Sequence, residues 1–370
     1  MTLNLTKLGL KQVINASGKM TILGVSKVSE GVLTAQRFGG EHFFEMSELA
    51  VKTGAHLAKL LQVEDAQIVS SASAGIAQSV AAVIGQGSSF HLYHPYSEKI
   101  QRREIILPKG HNVDYGTPVE VMVQQGGGQV VEAGYANMCS VDHIAQMISP
   151  QTAAILYIKS HHTVQKSMLS VKETAQVAKQ SVIPLIVDAA AEEDLFRYIQ
   201  EGADLVIYSG AKALSGPSAG LVIGRKELIE WVRLQSKGIG RSMKIGKENM
   251  MGLTQAVEEY LAEGSESGAS MKHRLEPFIA ALNQIIGLSA DIVQDGAGRD
   301  IYRARVRVQN GPSAMEVIQK LKVEEPAIYT REYQANHGII EFDIRAVTET
   351  EMHVIVNRLK EIMNPEEPKE

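Results

Sequence analysis

One cysteine, Cys139, stands among 370 residues. An intrachain disulfide is therefore impossible and a cysteine-based zinc site is excluded, which suits a reducing compartment. Aromatic residues make up only 5% of the chain, and there is a single tryptophan. No run approaches the ~20 apolar residues that a bilayer-spanning helix needs. The opening MTLNLTKLGLKQVINASGKM lacks the continuous apolar core of a secretory leader. An excess of one charge is missing too: 37 basic and 42 acidic residues leave a net charge of -5. No broad cationic field exists to hold nucleic acid, which argues against it as a partner. No Gly-x-Gly-x-x-Gly opens a helix, and QQGGGQ at 124–129 reads as a hairpin-type loop. These absences predict a soluble, cytoplasmic protein with no membrane partner and no metal site.

What is present has the texture of an α/β protein. Residues 1–45 are rich in Gly, Ser and Thr, show no long periodic segment, and read as an N-terminal arm. From 46 to 61 a helical stripe of Leu49, Ala50, Leu57, Leu60 and Leu61 predicts a helix. From 104 to 204 the runs EIILP, VEVMVQ, QVVEAG, AAILYI, PLIVD and ADLVIYSG read as short strands. Helical patterns at 141–147 and 171–180 fall between them, and LVIG at 221–224 adds a strand. Buried parallel strands joined by crossover helices give this alternation. After a polar helix at 247–263, strand, helix, strand, strand and helix follow from about 290, a smaller α+β domain. The expected division is an arm at 1–45, a large α/β domain at 46–265, a small domain at 266–364 and a frayed tail at 365–370.

Ligands of an open α/β sheet collect at the carboxyl ends of its strands, and three polar signals stand there. Asp188 ends VIPLIVD. Ser209 and Lys212 follow ADLVIYSG in SGAKALSGPSAG. The cluster at 70–75, SSASAG, opens a helix of small residues. A helix N-terminus with Ser73, Ala74 and Gly75 suits a phosphate, since its leading N–H groups lack partners. A carboxylate beside a pyridine nitrogen keeps that nitrogen protonated, and an amine in a glycine-bracketed loop can join an aldehyde. Asp188 and Lys212 stand 24 residues apart, room for one helix and one strand. Each signal alone reads as a cap or a solvated loop residue; the three in this order fit pyridoxal 5'-phosphate.

The lysine segment SGAKALSGPSAGLVIGRKELI resembles the Ser-Gly-x-Lys-x-x-x-Gly-Pro-x-Ala-Gly signature of the SelA-like branch of fold-type I pyridoxal-phosphate enzymes. INASG at 14–18 resembles that family's N-terminal element. The resemblance implies the fold-type I architecture, a mainly parallel sheet with helices on both faces plus a smaller α+β C-terminal domain. It makes Lys212 the Schiff-base lysine, Asp188 the partner of the pyridine nitrogen and Ser209 a donor to the cofactor phosphate. It places His111, in PKGHNVDYG, as a ring-stacking residue, and implies a homodimer or larger homo-oligomer whose arm, with Arg37 and His42, completes a neighbour's site. The chain departs from SelA proper at Asp188-Ala-Ala-Ala, where that family shows a Gly/Ser-rich turn.

For substrate, His161 and His162 follow a strand end, while Arg241 and Lys244 in GIGRSMKIGKEN read equally as anion ligands or as a basic loop. Arg303, Arg305 and Arg307 alternate on one strand and read as a solvated face. The expected reaction is an ammonia-lyase α,β-elimination on a phosphorylated 2-amino sugar acid. A seryl-tRNA selenium transferase is the alternative, disfavoured by the net charge and by the limited room for an extra tRNA-binding domain.

Overall fold

The computed structural model describes residues 3–160, 162–296 and 299–364; the tail expected to fray lies outside them. The described strands, in chain order, begin with β1 (Val13–Ala16), β2 (Asp65–Val69), β3 (Glu104–Pro108) and β4 (Gln129–Ala133). Next come β5 (Thr152–Ile158), β6 (Leu185–Asp188), β7 (Leu205–Ser209) and β8 (Gly220–Gly224). The last are β9 (Leu288–Gln294), β10 (Tyr302–Val308), β11 (Ala327–Thr330) and β12 (Ile339–Phe342).

The chain divides into two compact units, one of residues 28–264 and one of residues 1–27 with 265–370. In the first, seven strands form one sheet in the order β2-β8-β7-β6-β5-β3-β4. Only β8 runs against its neighbours; the other pairings are parallel. Apolar side chains cover both faces. Ile155, Tyr157, Val187 and Val206 point to one, and Ile158, Ile186 and Ile207 to the other. Strands buried on both sides need such near-continuous apolar runs, which is why AAILYI and LVIYS carry them.

Three readings of this region are corrected. VEVMVQ is not a strand but part of the helix Val119–Gln125, burying Val119, Met122 and Val123 at helical spacing; a V-x-V-x-V run satisfies both periods, and Pro118 before it starts a helix. QQGGGQ is therefore a helix-to-strand connection leading into β4, not a hairpin. The arm does not exist as one piece. Residues 30–41 form a helix, Glu30–Glu41, packed on Lys247–Glu263. Its glycines hid it, yet they permit the contact: a Cβ on Gly39 would lie 2.9 Å from Glu248 Cα.

The second unit is α+β. β12-β10-β9 form an antiparallel sheet, and β1 pairs in parallel with β11, bringing Ile14 beside Ile328. Ile14, Leu275, Phe278, Val306 and Phe342 share its core. The sequence did not announce β9 or the helix Gly268–Leu282, which tolerates Pro277 inside it. Arg303 is also corrected. It is 3% exposed rather than solvated, paired with Asp295 at 2.7 Å and Asp343 at 3.0 Å. Burial alone would raise Asp343, but Arg345 and Arg303 outweigh it and hold the carboxyl at about 2. Arg305 and Arg307 pair with Glu341 and Asp291.

Candidate active site

β2 to β7 end at one edge of the large sheet, and β8 begins there. Register sets the neighbours along this edge: Ile158 opposite Asp188, Asp188 opposite Ile207, Ser209 opposite Gly220, and Gly220 opposite Val69. Gly220 also backs onto the Ser71–Ala72 peptide, 2.8 Å separating its ideal Cβ from Ala72 N. The helix Ala72–Gly85 thus begins beside the strand pair that carries Ser209.

Asp188 is buried, and its Oδ1 accepts from Ala190 N–H at 3.1 Å. Burial pushes its carboxyl up to about 6, against the charge of Lys212 and the Ala190 hydrogen bond, which both pull it down. Lys212 is close enough to act on it electrostatically. A buried carboxylate beside one amine is suited to a further cationic N–H, and a protonated pyridine nitrogen is such a group. The residues present therefore fit pyridoxal phosphate.

The lysine loop is held by glycine contacts and one polar bridge. Gly210 N donates to Ala219 O and Gly216 N to Gly210 O, both at 2.8 Å. Leu253 and Ala256 of the helix Lys247–Glu263 press on Gly210 and Gly216, where a Cβ would lie 2.7 and 2.9 Å from them. Asn249 closes the arrangement: its Nδ2 donates to Ser218 O at 3.0 Å, and its Oδ1 accepts from Gln36 at 2.9 Å. Neither Asn249 nor Gln36 stood out in the sequence, since an amide in a polar helix carries no signal of its partner. Asn249→Ala is expected to cost about 0.5–1.5 kcal/mol of unfolding stability, read from urea denaturation.

The expected phosphate cup is redistributed. Ser71 caps the helix, its Oγ accepting from Ala74 N–H at 3.0 Å, and Gly75 N–H donates to Ser71 O at 2.9 Å. Two of the expected donors are thus engaged, leaving Ala72 and the exposed Ser73 as the leading groups of the turn. Gly75 faces the sheet instead: a Cβ there would meet Ile207 Cγ2 at 2.9 Å and Val222 at 3.3 Å. Gly75→Ala is expected to destabilise the cofactor-free protein by about 1–3 kcal/mol in chemical denaturation, the range for overpacking. A glycine needed only for anion approach would leave that stability unchanged.

His111 is the residue expected to stack on the ring. It is fully buried, with its ring edge against Tyr157 at 4.5 Å and 83°. Burial lowers its imidazole to about 4. Tyr157 lies on the sheet face opposite Asp188. Tyr115, from the same loop, packs on the Asp188 face. Burial raises its phenol, and the charge of Asp188 adds to that. It is an aromatic side chain that the loop PKGHNVDYG brings near the carboxylate, and nothing in the loop's residues singles it out.

Of the substrate candidates, His161 lies outside the described residues. His162 is exposed, its backbone N–H bound to Ser160 Oγ at 3.2 Å. Arg241, Lys244, Arg37 and His42 are exposed. His42 Nδ1 lies 2.9 Å from Phe38 O, and Lys247 Nζ ties the chain there by donating to Gly39 O, Gly40 O and His42 O at 2.6, 3.0 and 2.7 Å. None of these candidates contacts Asp188 among the described residues.

The family described as "SelA: L-seryl-tRNA selenium transferase" matches residues 53–275. The chain is 47% identical to D-glucosaminate-6-phosphate ammonia lyase of Salmonella typhimurium, covering 96% of each. It is 36% identical to 5'-C-glycyluridine monooxygenase-decarboxylase of a Streptomyces species, over 98% of this chain and 92% of that one. A solved structure of D-glucosaminate-6-phosphate ammonia-lyase superposes with a TM-score of 0.93, covering 98% of this chain and 99% of the other.

Proposed function

The chain belongs to the SelA family, and on that premise we propose that it is an ammonia-lyase converting D-glucosaminate 6-phosphate to 2-keto-3-deoxy-6-phosphogluconate and ammonia. Its fold is that of the fold-type I pyridoxal-phosphate enzymes, and pyridoxal phosphate is its cofactor. The observation that carries the reading is 47% identity across 96% of both chains, which spans the Asp188 and Lys212 segments. When bound, the cofactor supplies an electron sink for the pair left behind at the substrate Cα.

The chain's own residues supply the rest. Asp188 holds a proton at the ring nitrogen. Ala72 and Ser73 at the helix start, with Ser209 across Gly220, offer donors to a phosphate. Lys212 takes the Cα proton, and the C3 hydroxyl leaves as water with a proton from Lys212 or a histidine of the 161–162 pair. The released enamine becomes an imine, and one water hydrolyses it to ketone and ammonia, so water lost equals water consumed. Arg241, Lys244, Arg37 and His42 are the cations offered to the substrate's carboxylate and phosphate.

The test is ammonia release from D-glucosaminate 6-phosphate beside unphosphorylated D-glucosaminate. Equimolar ammonia and 2-keto acid from the phosphorylated compound is the expected result; neither product would overturn the reading. We assign the active form as a homodimer or larger homo-oligomer, supported by Phe38 and Phe43, exposed by 47% and 101% around the end of the helix Glu30–Glu41. Sedimentation of a fully active monomer would remove that assignment. A cytoplasmic location fits the single cysteine, and among the described residues no helix is long and apolar enough to cross a membrane.

A further inference from the structure

We propose that a cleft at the opposite edge of the large sheet, away from Lys212, is a second ligand site that takes a small organic carboxylate with a flat apolar body. The cleft has a volume of about 660 Å³, within the range of small-molecule sites. It opens where β6 and β7 begin, at Pro184 and Asp204, whereas Asp188 and Ser209 lie at the far ends of those strands. Nothing in the lyase reading uses it.

One wall is apolar. Leu228 and Trp231 come from the helix Lys226–Leu234, and Ala178 and Val182 from the end of the helix Val171–Gln180 and the turn after it. Trp231 is the only tryptophan of the chain and is half-buried. A half-buried indole beside aliphatic groups favours a planar apolar partner.

The charges give the sign of the ligand. Each of the cleft's three carboxylates lies beside an arginine: Asp204 holds Arg225 at 3.1 Å and accepts Leu185 N–H at 2.8 Å, Glu201 holds Arg197 at 2.7 Å, and the exposed Glu227 lies 3.8 Å from Arg225. Arg102, Lys172 and Lys179 also line the cleft, and among the described residues none of them has a carboxylate partner. Arg102 is the anchor. It is half-buried, its Nη1 donates to Val83 O at 3.3 Å and its Nη2 to Ala153 O at 3.2 Å, and those neutral carbonyls leave its charge uncompensated. A desolvated guanidinium without a counter-ion is costly, and a carboxylate reaching it would relieve that cost. Burial lowers the Arg102 pKa, in keeping with the same desolvation. Inorganic phosphate would meet the cations but leave the apolar wall wet; an aromatic ammonium would meet the wall but be repelled. A carboxylate on an aromatic ring answers both.

The test is titration of the holoenzyme with benzoate, followed by the emission of Trp231, with benzyl alcohol and inorganic phosphate as controls. Saturable change with benzoate at millimolar concentration and none with benzyl alcohol is the expected result. Arg102→Gln should raise half-saturation about tenfold or more. Lys179→Glu, at an exposed position, should weaken benzoate binding in the same direction if the Arg102 variant fails to fold. No saturable response, equal binding of phosphate, or benzoate binding unchanged in the Lys179→Glu variant would each overturn the proposal. The readout is independent of turnover, so its failure leaves the lyase reading standing.

Discussion

Replacing Lys212 with alanine is expected to lower kcat by about 10³-fold or more and to abolish covalent capture of the cofactor by borohydride. Two roles disappear together. The amine that joins the cofactor aldehyde is gone, and so is the base at the substrate Cα; positioned acid–base catalysis alone accounts for about 10²–10⁴. The fold should survive. The loop's geometry rests on backbone bonds at Gly210 and Gly216 and on Asn249, not on the lysine side chain alone. Peptide mapping after reduction checks the assignment: a label on another lysine, or turnover that persists in the variant, would show the amine to be misassigned.

The second large effect belongs to Asp188. In the cofactor-free protein its carboxyl lies at about 6, above its ordinary 3.8, chiefly because it is buried. Below about pH 6 it keeps a proton that must leave before it can hold a ring N–H⁺. Cofactor affinity should therefore rise as pH climbs from about 5 to 7, and Asp188→Asn should abolish that rise and lower kcat by about 10²-fold or more. Stability moves the other way. A carboxyl raised on folding costs nothing while both states are protonated, and the cost grows as pH rises from the ordinary value to about 6. At neutral pH it is on the order of 3 kcal/mol, so cofactor-free Asp188→Asn should be the more stable protein above pH 6. Denaturation of the two apoproteins at pH 5 and pH 8 checks this, and equal stability at pH 8 would contradict it.

Much of this site was readable because its signals are local. A buried strand ending in Asp, or in Ser-Gly-x-Lys, marks its own carboxyl end, and the helix Ala72–Gly85 is a continuous run of small residues. What stayed hidden depended on partners distant in sequence. Arg303 looked solvated because Asp343, 40 residues on, flanks it together with Asp295 only in the fold. Gly75 looked like an anion contact because its need for smallness comes from Ile207 and Val222, on other strands. His111 and Tyr115 sit in one loop, and only the fold decides that the first packs on Tyr157 and the second on the Asp188 face. The helix Glu30–Glu41 was obscured by the very glycines that let it approach Lys247–Glu263.

The pairing of β1 with β11 bears on how the polypeptide emerges during synthesis. Residues 28–264 are contiguous, so the cofactor-bearing unit has all its strands once they have left the ribosome. Val13 must wait for Ala327. Val13–Ala16 therefore stay without their partner strand while residues 28–264 are made, and the smaller unit can close only after those residues have emerged.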